Sequence, residues 1–273
     1  MLLAACLLCG CAGVRTTWLM VPPSWAGMER INDQLVVQRD TAPETVARWQ
    51  HDLTQAEGRL AQLLGSVQSS PVFYFCRSEP CYQRFGGGTP RAKAFGQSRV
   101  LFSPRGQSVD FVVHEWWHAE FKRRVGSFQV YTHVPPWFDE GMAVSLLHTD
   151  SNYSEAMYQQ ILARGITPPA LSELATHKGF YRAIARFGDD KVAAQPDAPG
   201  RFQVVYPTMG HEVRRWLARV GQGGLLELLR RLERGENFQL AYEAIEAQAR
   251  SEKGATTHIA NPATPTAGTA TRS

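Results

Sequence analysis

Five consecutive residues carry the first chemical signal: His114-Glu115-Trp116-Trp117-His118. On a helix, residues four apart share a face and lie about 6 Å apart along the axis. Two imidazoles so placed can bind the same zinc ion. Glu115 stands about 100° around the helix, where it can take a proton from a water beside the metal without being a ligand. A catalytic zinc needs a third protein ligand and one open position. Glu140 lies 22 residues beyond His118, within Pro136-Trp137-Phe138-Asp139-Glu140-Gly141-Met142-Ala143. It can serve as that ligand if a second helix faces it back toward the histidines. The chemistry is metal-assisted hydrolysis, with Glu115 moving a proton from water to the leaving group.

A helix over about 108–124 must carry the motif. The apolar residues Val109, Phe111, Val112, Val113, Trp117 and Phe121 around it predict a buried helix. Pro135-Pro136 breaks the chain, and a helix over 137–147 brings Glu140. Upstream, the patterns predict a strand over 34–38 and a helix opened by a Thr41/Glu44 capping box. That helix carries Val46, Trp49, Leu53, Ala56, Leu60 and Leu63 at helical spacing and closes at Gly65. A strand over 71–75, a loop over 86–90 and a strand over 94–103 come next, the last closed by the turn Pro104-Arg105-Gly106. Downstream come helices over 153–164 and 170–187 and a loop over 188–200. Amphipathic helices over 206–220, 223–234 and 237–250 complete the globule. The expected class is α+β: a small N-terminal mixed sheet, then a mostly helical C-terminal part.

The pairing of H-E-x-x-H with Trp137-Phe138-Asp139-Glu140-Gly141-Met142-Ala143 resembles the gluzincin metallopeptidases. In them a glutamate from the next helix, often within W-x-x-E-G-x-A, completes the zinc site. The metzincin continuation is absent, since the chain runs on as Ala119-Glu120-Phe121-Lys122-Arg123-Arg124-Val125-Gly126. The resemblance implies a zincin-like fold over 21–250, with an α/β part over 21–107 and a helical part over 108–250 that holds the zinc. It implies an edge strand beside the active-site helix, able to pair with an extended peptide by main-chain bonds; residues 94–103 are the candidate. The stretch from Val205 to Leu217, with Gly221, Leu225–Leu232, Gly235 and Phe238–Ala241, looks like the C-terminal helices of the peptidase MA-like group. That group carries a tyrosine at the head of the first, which here is Tyr206. The resemblance thus implies a zinc metallopeptidase acting on a peptide or protein, with His114, His118 and Glu140 as ligands, Glu115 as base and Tyr206 as oxyanion donor. The alternative is a non-catalytic zinc-binding envelope lipoprotein that uses the same fold as a scaffold.

Other candidates have plainer readings. Tyr206 shares a stripe with Met209, Val213, Leu217 and Val220 and should face inward. His211 is a rival donor expected to be exposed. Asp139 and Asp110 are candidate acceptors for the ligands' second ring nitrogens, with packing or helix-terminus roles favoured for both. His133 is expected in an exposed loop, and Trp116 and Trp117 in packing. The clusters at Lys122–Arg124, Arg214-Arg215 and Arg230-Arg231 are expected to be solvated faces.

Twenty-nine Lys and Arg against 25 Asp and Glu leave a net charge of +4, too mild to argue for a nucleic-acid partner. No internal run approaches the ~18 apolar residues of a membrane helix, which excludes a polytopic protein. Three of five cysteines crowd the N-terminus, in Met1-Leu2-Leu3-Ala4-Ala5-Cys6-Leu7-Leu8-Cys9-Gly10-Cys11. A short apolar run followed by small residues reads as an export signal over 1–13, which with a linker makes up 1–20. Its Leu8-Cys9-Gly10-Cys11 end resembles a bacterial lipobox. That resemblance implies lipidation at Cys11 and an envelope protein anchored to the membrane and facing the periplasm. In an exported protein Cys76 and Cys81 are expected to form a small disulfide loop; in the cytosol they would be free thiols. From Ser251 to Ser273 the composition turns to Thr, Ala, Pro and Gly, which predicts a disordered tail.

Overall fold

The computed structural model describes Leu19 and residues 21–198 and 200–259. The export and lipidation readings at 1–20, Cys11 included, lie outside the described residues, as does 260–273.

Five short strands form one mixed sheet in the order β1-β2-β3-β5-β4. These are β1 (Met28–Arg30), β2 (Leu35–Gln38), β3 (Val72–Phe75), β4 (Ala92–Phe95) and β5 (Arg99–Phe102). The three central strands β2, β3 and β5 run parallel, and β1 and β4 pair antiparallel at the two edges. Alternation sorts their side chains. Leu35, Val37, Phe73, Phe75, Val100 and Phe102 face the main core. Val36, Tyr74 and Leu101 face a smaller cluster with Met28, Cys76, Cys81, Tyr82 and Phe85. Parallel central strands covered on both faces are expected to be near-continuous apolar runs, and these are, apart from Gln38 and Arg99 at strand ends.

Two helices cover the main face. Helix α1 (Pro43–Leu64) presents Trp49, stacked on Phe75 at 4.6 Å. Its N-cap is Ala42, and the Thr41 hydroxyl donates to the Gln38 carbonyl rather than capping the helix. Pro43, with no amide hydrogen to satisfy, takes the first turn instead. Helix α2 (Glu79–Arg84) caps the other face; its residue Cys81 is disulfide-bonded to Cys76. Helix α3 (Val109–Val125) carries the motif, and 13 of its 17 residues are buried, which makes it the central helix. Trp116 meets Phe73 edge-on at 4.9 Å on its sheet side.

The helical part continues as α4 (Ser127–His133), α5 (Pro136–Ser145), α6 (Glu155–Ala163), α7 (His177–Phe187), α8 (Asp189–Ala194), α9 (Val205–Glu233) and α10 (Phe238–Ile259). Helix α5 wedges between α3 and α9. Phe138 contacts Phe121 on one side and Trp216 and Phe238 on the other. The crossing with α9 is close because it is lined by glycines. A Cβ on Gly141 would lie 2.7 Å from the Met209 carbonyl oxygen, and one on Gly210 would lie 2.6 Å from Val144 Cγ1. Within α9, Gly221 has φ 66° and ψ −174°, so the element is two helical segments joined at a kink, near the expected break.

The class is the expected α+β, a small mixed sheet followed by a mostly helical part, with several local corrections. Residues 94–103 are not one strand but part of a hairpin that turns at Gly96, whose φ is 62°. The sheet edge is β4; β5 is interior. The chain before α1 holds two strands rather than one. Only 177–187 of the expected helix over 170–187 is helical, opened by Thr176, whose hydroxyl accepts from the Gly179 amide. The expected loop over 188–200 contains α8. His133 ends a helix, and α10 continues to Ile259, past the Ser251 where composition predicts the tail. Among the described residues, no helix is long and apolar enough to cross a membrane.

Candidate metal centre

Successive turns of α3 present His114 and His118 on one side, both nearly buried. Their Nε2 atoms lie 3.2 Å apart. Glu140, one turn into α5, brings Oε2 to 3.4 Å from His114 Nε2 and 3.6 Å from His118 Nε2. These three residues form a group that can hold a metal ion, the only such group of His, Cys, Asp and Glu found among the described residues. The glycine-lined crossing sets this geometry. Gly141 lets α5 press against α9, which fixes where the neighbouring Glu140 stands.

The second ring nitrogen of His118 lies 2.8 Å from Asp139 Oδ1. A carboxylate only accepts, so Nδ1 carries a hydrogen, and it is Nε2 whose lone pair the neutral ring would offer to a metal ion. Trp117 Nε1 donates to the same Asp139 oxygen at 3.0 Å. The favoured plain reading of Asp139 is therefore corrected: it orients His118. Trp117, expected in packing, also donates to that acceptor and holds it in place. His114 Nδ1 is buried with no hydrogen-bond partner among the described residues. Burial lowers the imidazolium pKa of His118, but Asp139 and Glu140 outweigh it and hold it well above the ordinary value. Burial also raises both carboxyls, yet His118, with Lys122 beside it, pulls Asp139 below the carboxylate range, and both histidines pull Glu140 below it. Two anionic groups thus stand ready to balance positive charge at the imidazoles.

A cleft of about 400 Å³ opens over the group. Glu115, Tyr206 and the edge strand β4, through Ala92, Lys93 and Ala94, line it together with the three group members. Asp189 accepts from the amides of Val204 and Val205, satisfying orphan donors at the head of α9 and anchoring the turn that bears Tyr206. Burial first, then Glu140 and neighbouring Tyr153, push the Tyr206 hydroxyl well above its ordinary pKa, so it keeps its proton. The rival His211 is elsewhere. It bonds Glu155 at 2.8 Å, stacks on Tyr158 at 3.8 Å, and does not line the cleft.

Asp110, one turn before His114, bonds neither histidine of the group. It accepts from Arg59 at 2.8 Å and from the Thr149 amide at 2.7 Å, tying α1 and the chain after α5 to α3. His133 stays on the surface. The basic clusters are only partly solvated faces. Arg124 pairs with buried Glu120 at 2.6 Å, and Arg214 with Glu155 at 3.4 Å. Lys122 lines the cleft. The spacing carries a signal for Lys122: 114, 118 and 122 stand at i, i+4, i+8, so one stripe of α3 bears all three. No protein-family model, curated protein or solved structure matches the chain.

Proposed function

We propose that this chain is a zinc-dependent hydrolase of peptide bonds, similar to the gluzincins, that acts in the cell envelope and is anchored there through Cys11. The observation that carries the reading is the ligand triangle. Donor atoms 2.0–2.1 Å from a tetrahedral zinc lie about 3.3–3.4 Å from one another. The three separations here, 3.2, 3.4 and 3.6 Å, bracket that value. Two imidazole nitrogens and one carboxylate oxygen suit zinc, and three protein ligands leave the position that a hydrolase needs open. When bound, zinc supplies a lowered pKa for water, near ~7, and polarises the scissile carbonyl.

The chain's own residues supply the rest. Asp139 fixes the His118 tautomer. Glu115, on the cleft wall and outside the ligand set, takes the proton of the attacking water and returns it to the leaving amine. Tyr206, held protonated, donates to the oxygen on which negative charge develops. The free edge of β4 runs along the cleft and offers main-chain groups to an extended peptide. The Cys76–Cys81 disulfide is consistent with an oxidising compartment.

The test has two arms. Purified protein should carry about one zinc per chain, and Glu115→Gln should keep it while hydrolysis of quenched fluorescent casein falls at least a hundredfold. Full activity in Glu115→Gln would overturn the mechanism. Zinc near zero, with folding unchanged by chelator, would overturn the reading itself.

A further inference from the structure

A one-turn 3₁₀ helix, Pro23–Ala26, leads through Gly27 into the edge strand β1. Its Trp25 is 75% exposed, the most open large apolar side chain among the described residues. Trp49, Trp116, Trp117, Trp137 and Trp216 are all buried. Three guanidinium groups are fixed on the same turn. Arg39 donates to the Ser24 carbonyl at 3.2 Å, Arg77 to the Arg39 carbonyl at 3.2 Å, and Arg84 to the Ala26 carbonyl at 3.4 Å. They come from just past the ends of β2 and β3 and from the last turn of α2, and all three are exposed. The parallel register that sets Val37 beside Phe75 brings Arg39 and Arg77 together. Among the described residues none of the three is in an ion pair. Glu79, the one acid of α2, is taken by Arg105 at 2.7 Å. The exposed arginines of α9 differ: Arg215 pairs with Glu212, Arg230 with Glu227 and Arg234 with Glu236. A guanidinium carries more donors than one carbonyl uses, so the three on the turn keep donors for an anion in the solvent. The edge strands β1 and β4 are opposite, so this face can be covered while the cleft along β4 stays open.

We propose that Trp25 with Arg39, Arg77 and Arg84 is a contact surface for an anionic lipid bilayer. The indole enters the headgroup layer, where its apolar body and its N–H both find partners. The guanidiniums take lipid phosphates. One acyl chain alone gives marginal, reversible membrane binding, and a basic surface beside it supplies the second signal that stable anchoring needs. Cys11 stands fourteen residues before Trp25. A tether of that length reaches at most about 50 Å, so an anchor there raises the effective concentration of this face at the bilayer. The inference rests on the envelope reading for the presence of a membrane; the chemistry at zinc plays no part in it.

The test separates the surface from the anchor. Full-length Cys11→Ser, which takes no acyl chain there, is sedimented with phosphatidylcholine vesicles with and without phosphatidylglycerol. Binding should be tighter to the anionic vesicles and should fall with added salt. On this background Arg39→Gln, Arg77→Gln and Arg84→Gln should each weaken it by about fivefold. Trp25→Ala should weaken it by roughly tenfold. Arg215→Gln, Arg230→Gln and Arg234→Gln together remove as much charge from α9 as the first three do from the turn. That triple should leave binding within about twofold. Arg39→Lys, Arg77→Lys and Arg84→Lys together keep the charge and should keep most of the binding, which tells lost contact from lost fold. Zinc content should be unchanged throughout. Equal binding to the two kinds of vesicle, or equal losses in the two glutamine triples, overturns the inference. Lipidation is read separately, from the intact mass of the parent chain purified from membranes. An unmodified Cys11 with anionic-vesicle binding intact would sink the anchor and leave the surface standing. A lipidated Cys11 with no preference for anionic vesicles would do the reverse.

Discussion

His118 and Tyr131 line the same cleft under opposite conditions. His118 is buried, with Nδ1 at Asp139 and Nε2 facing His114 and Glu140, and Asp139 is held in turn by Trp117. Tyr131 is two-thirds exposed, and its ring stacks on His177. The floor is built from long helices whose polar groups are tied to one another: Asp110 to Arg59 and Thr149, Glu120 to Arg124 and the Ser69 amide. The rim is built from a seven-residue helix, the first turns of α7 and a four-residue strand. Chemistry that needs atoms placed to a few tenths of an ångström is on the first. Surfaces that could accept varied partners are on the second.

The largest expected effect breaks the floor outright. His118→Ala removes one of the three atoms proposed to ligate zinc and leaves Asp139 without its imidazole. Bound zinc should fall from about one per chain to a small fraction. Added zinc should then no longer raise the melting temperature, where for the parent protein at a hundredfold excess over Kd it adds about 2.7 kcal/mol. An unchanged zinc content in this variant would mean the metal is held elsewhere.

A second break acts through packing. Gly141→Ala puts a methyl group 2.7 Å from the Met209 carbonyl oxygen and from Val213 Cγ2. A backbone oxygen cannot move aside cheaply, so α5 must shift from α9. The cost should be about 1–3 kcal/mol in denaturant unfolding. Because Glu140 precedes Gly141, zinc affinity should fall as well. Loss of stability with zinc affinity intact would show that the helix crossing does not set the ligand geometry.

These two positions also show how much is legible in the sequence. The two histidines and Glu115 are readable because one helix at 3.6 residues per turn fixes their relation. Glu140 is readable because Pro135-Pro136 dates the start of its helix and the residues around it resemble the W-x-x-E-G-x-A pattern. The Asp139–His118 and Trp117–Asp139 bonds depend on how α3 and α5 cross, which no local spacing states. The rim is harder still. A four-residue strand such as Ala92–Phe95 alternates too briefly to be told from the strand beside it. Lys122 reads as part of a basic run with Arg123 and Arg124, although steps of 100° send the three in different directions: Lys122 into the cleft, Arg124 back to Glu120.

A smaller change tests whether the floor's outer contacts matter as its geometry suggests. Asp139→Asn keeps an oxygen for the Trp117 donor but removes the charge facing His118. Zinc affinity should drop about 10- to 100-fold, as for other partners of metal-bound imidazoles, with the fold retained. Trp117→Phe, which leaves Asp139 charged but less held, should give a fraction of that loss. If Asp139→Asn bound zinc as the parent does, the Asp139–His118 bond would be a packing contact and the plain reading of Asp139 would stand.

The smallest effect concerns the rim and completes the comparison. Tyr131→Ala removes a ring that is 66% exposed and stacked on His177, so little apolar burial is lost on the folded side. Substitutions at such positions change stability by less than about 0.5 kcal/mol. Zinc content should be unchanged, because Tyr131 belongs neither to the His114, His118 and Glu140 group nor to the Asp139–His118 bond. The variant should therefore unfold at the parent's denaturant midpoint while binding peptide more weakly. If it lost about 2 kcal/mol or more, well beyond the usual range for a surface position, the Tyr131–His177 stack would be part of what holds α4 against α7. The rim would then share the floor's structural duty instead of serving what enters from outside.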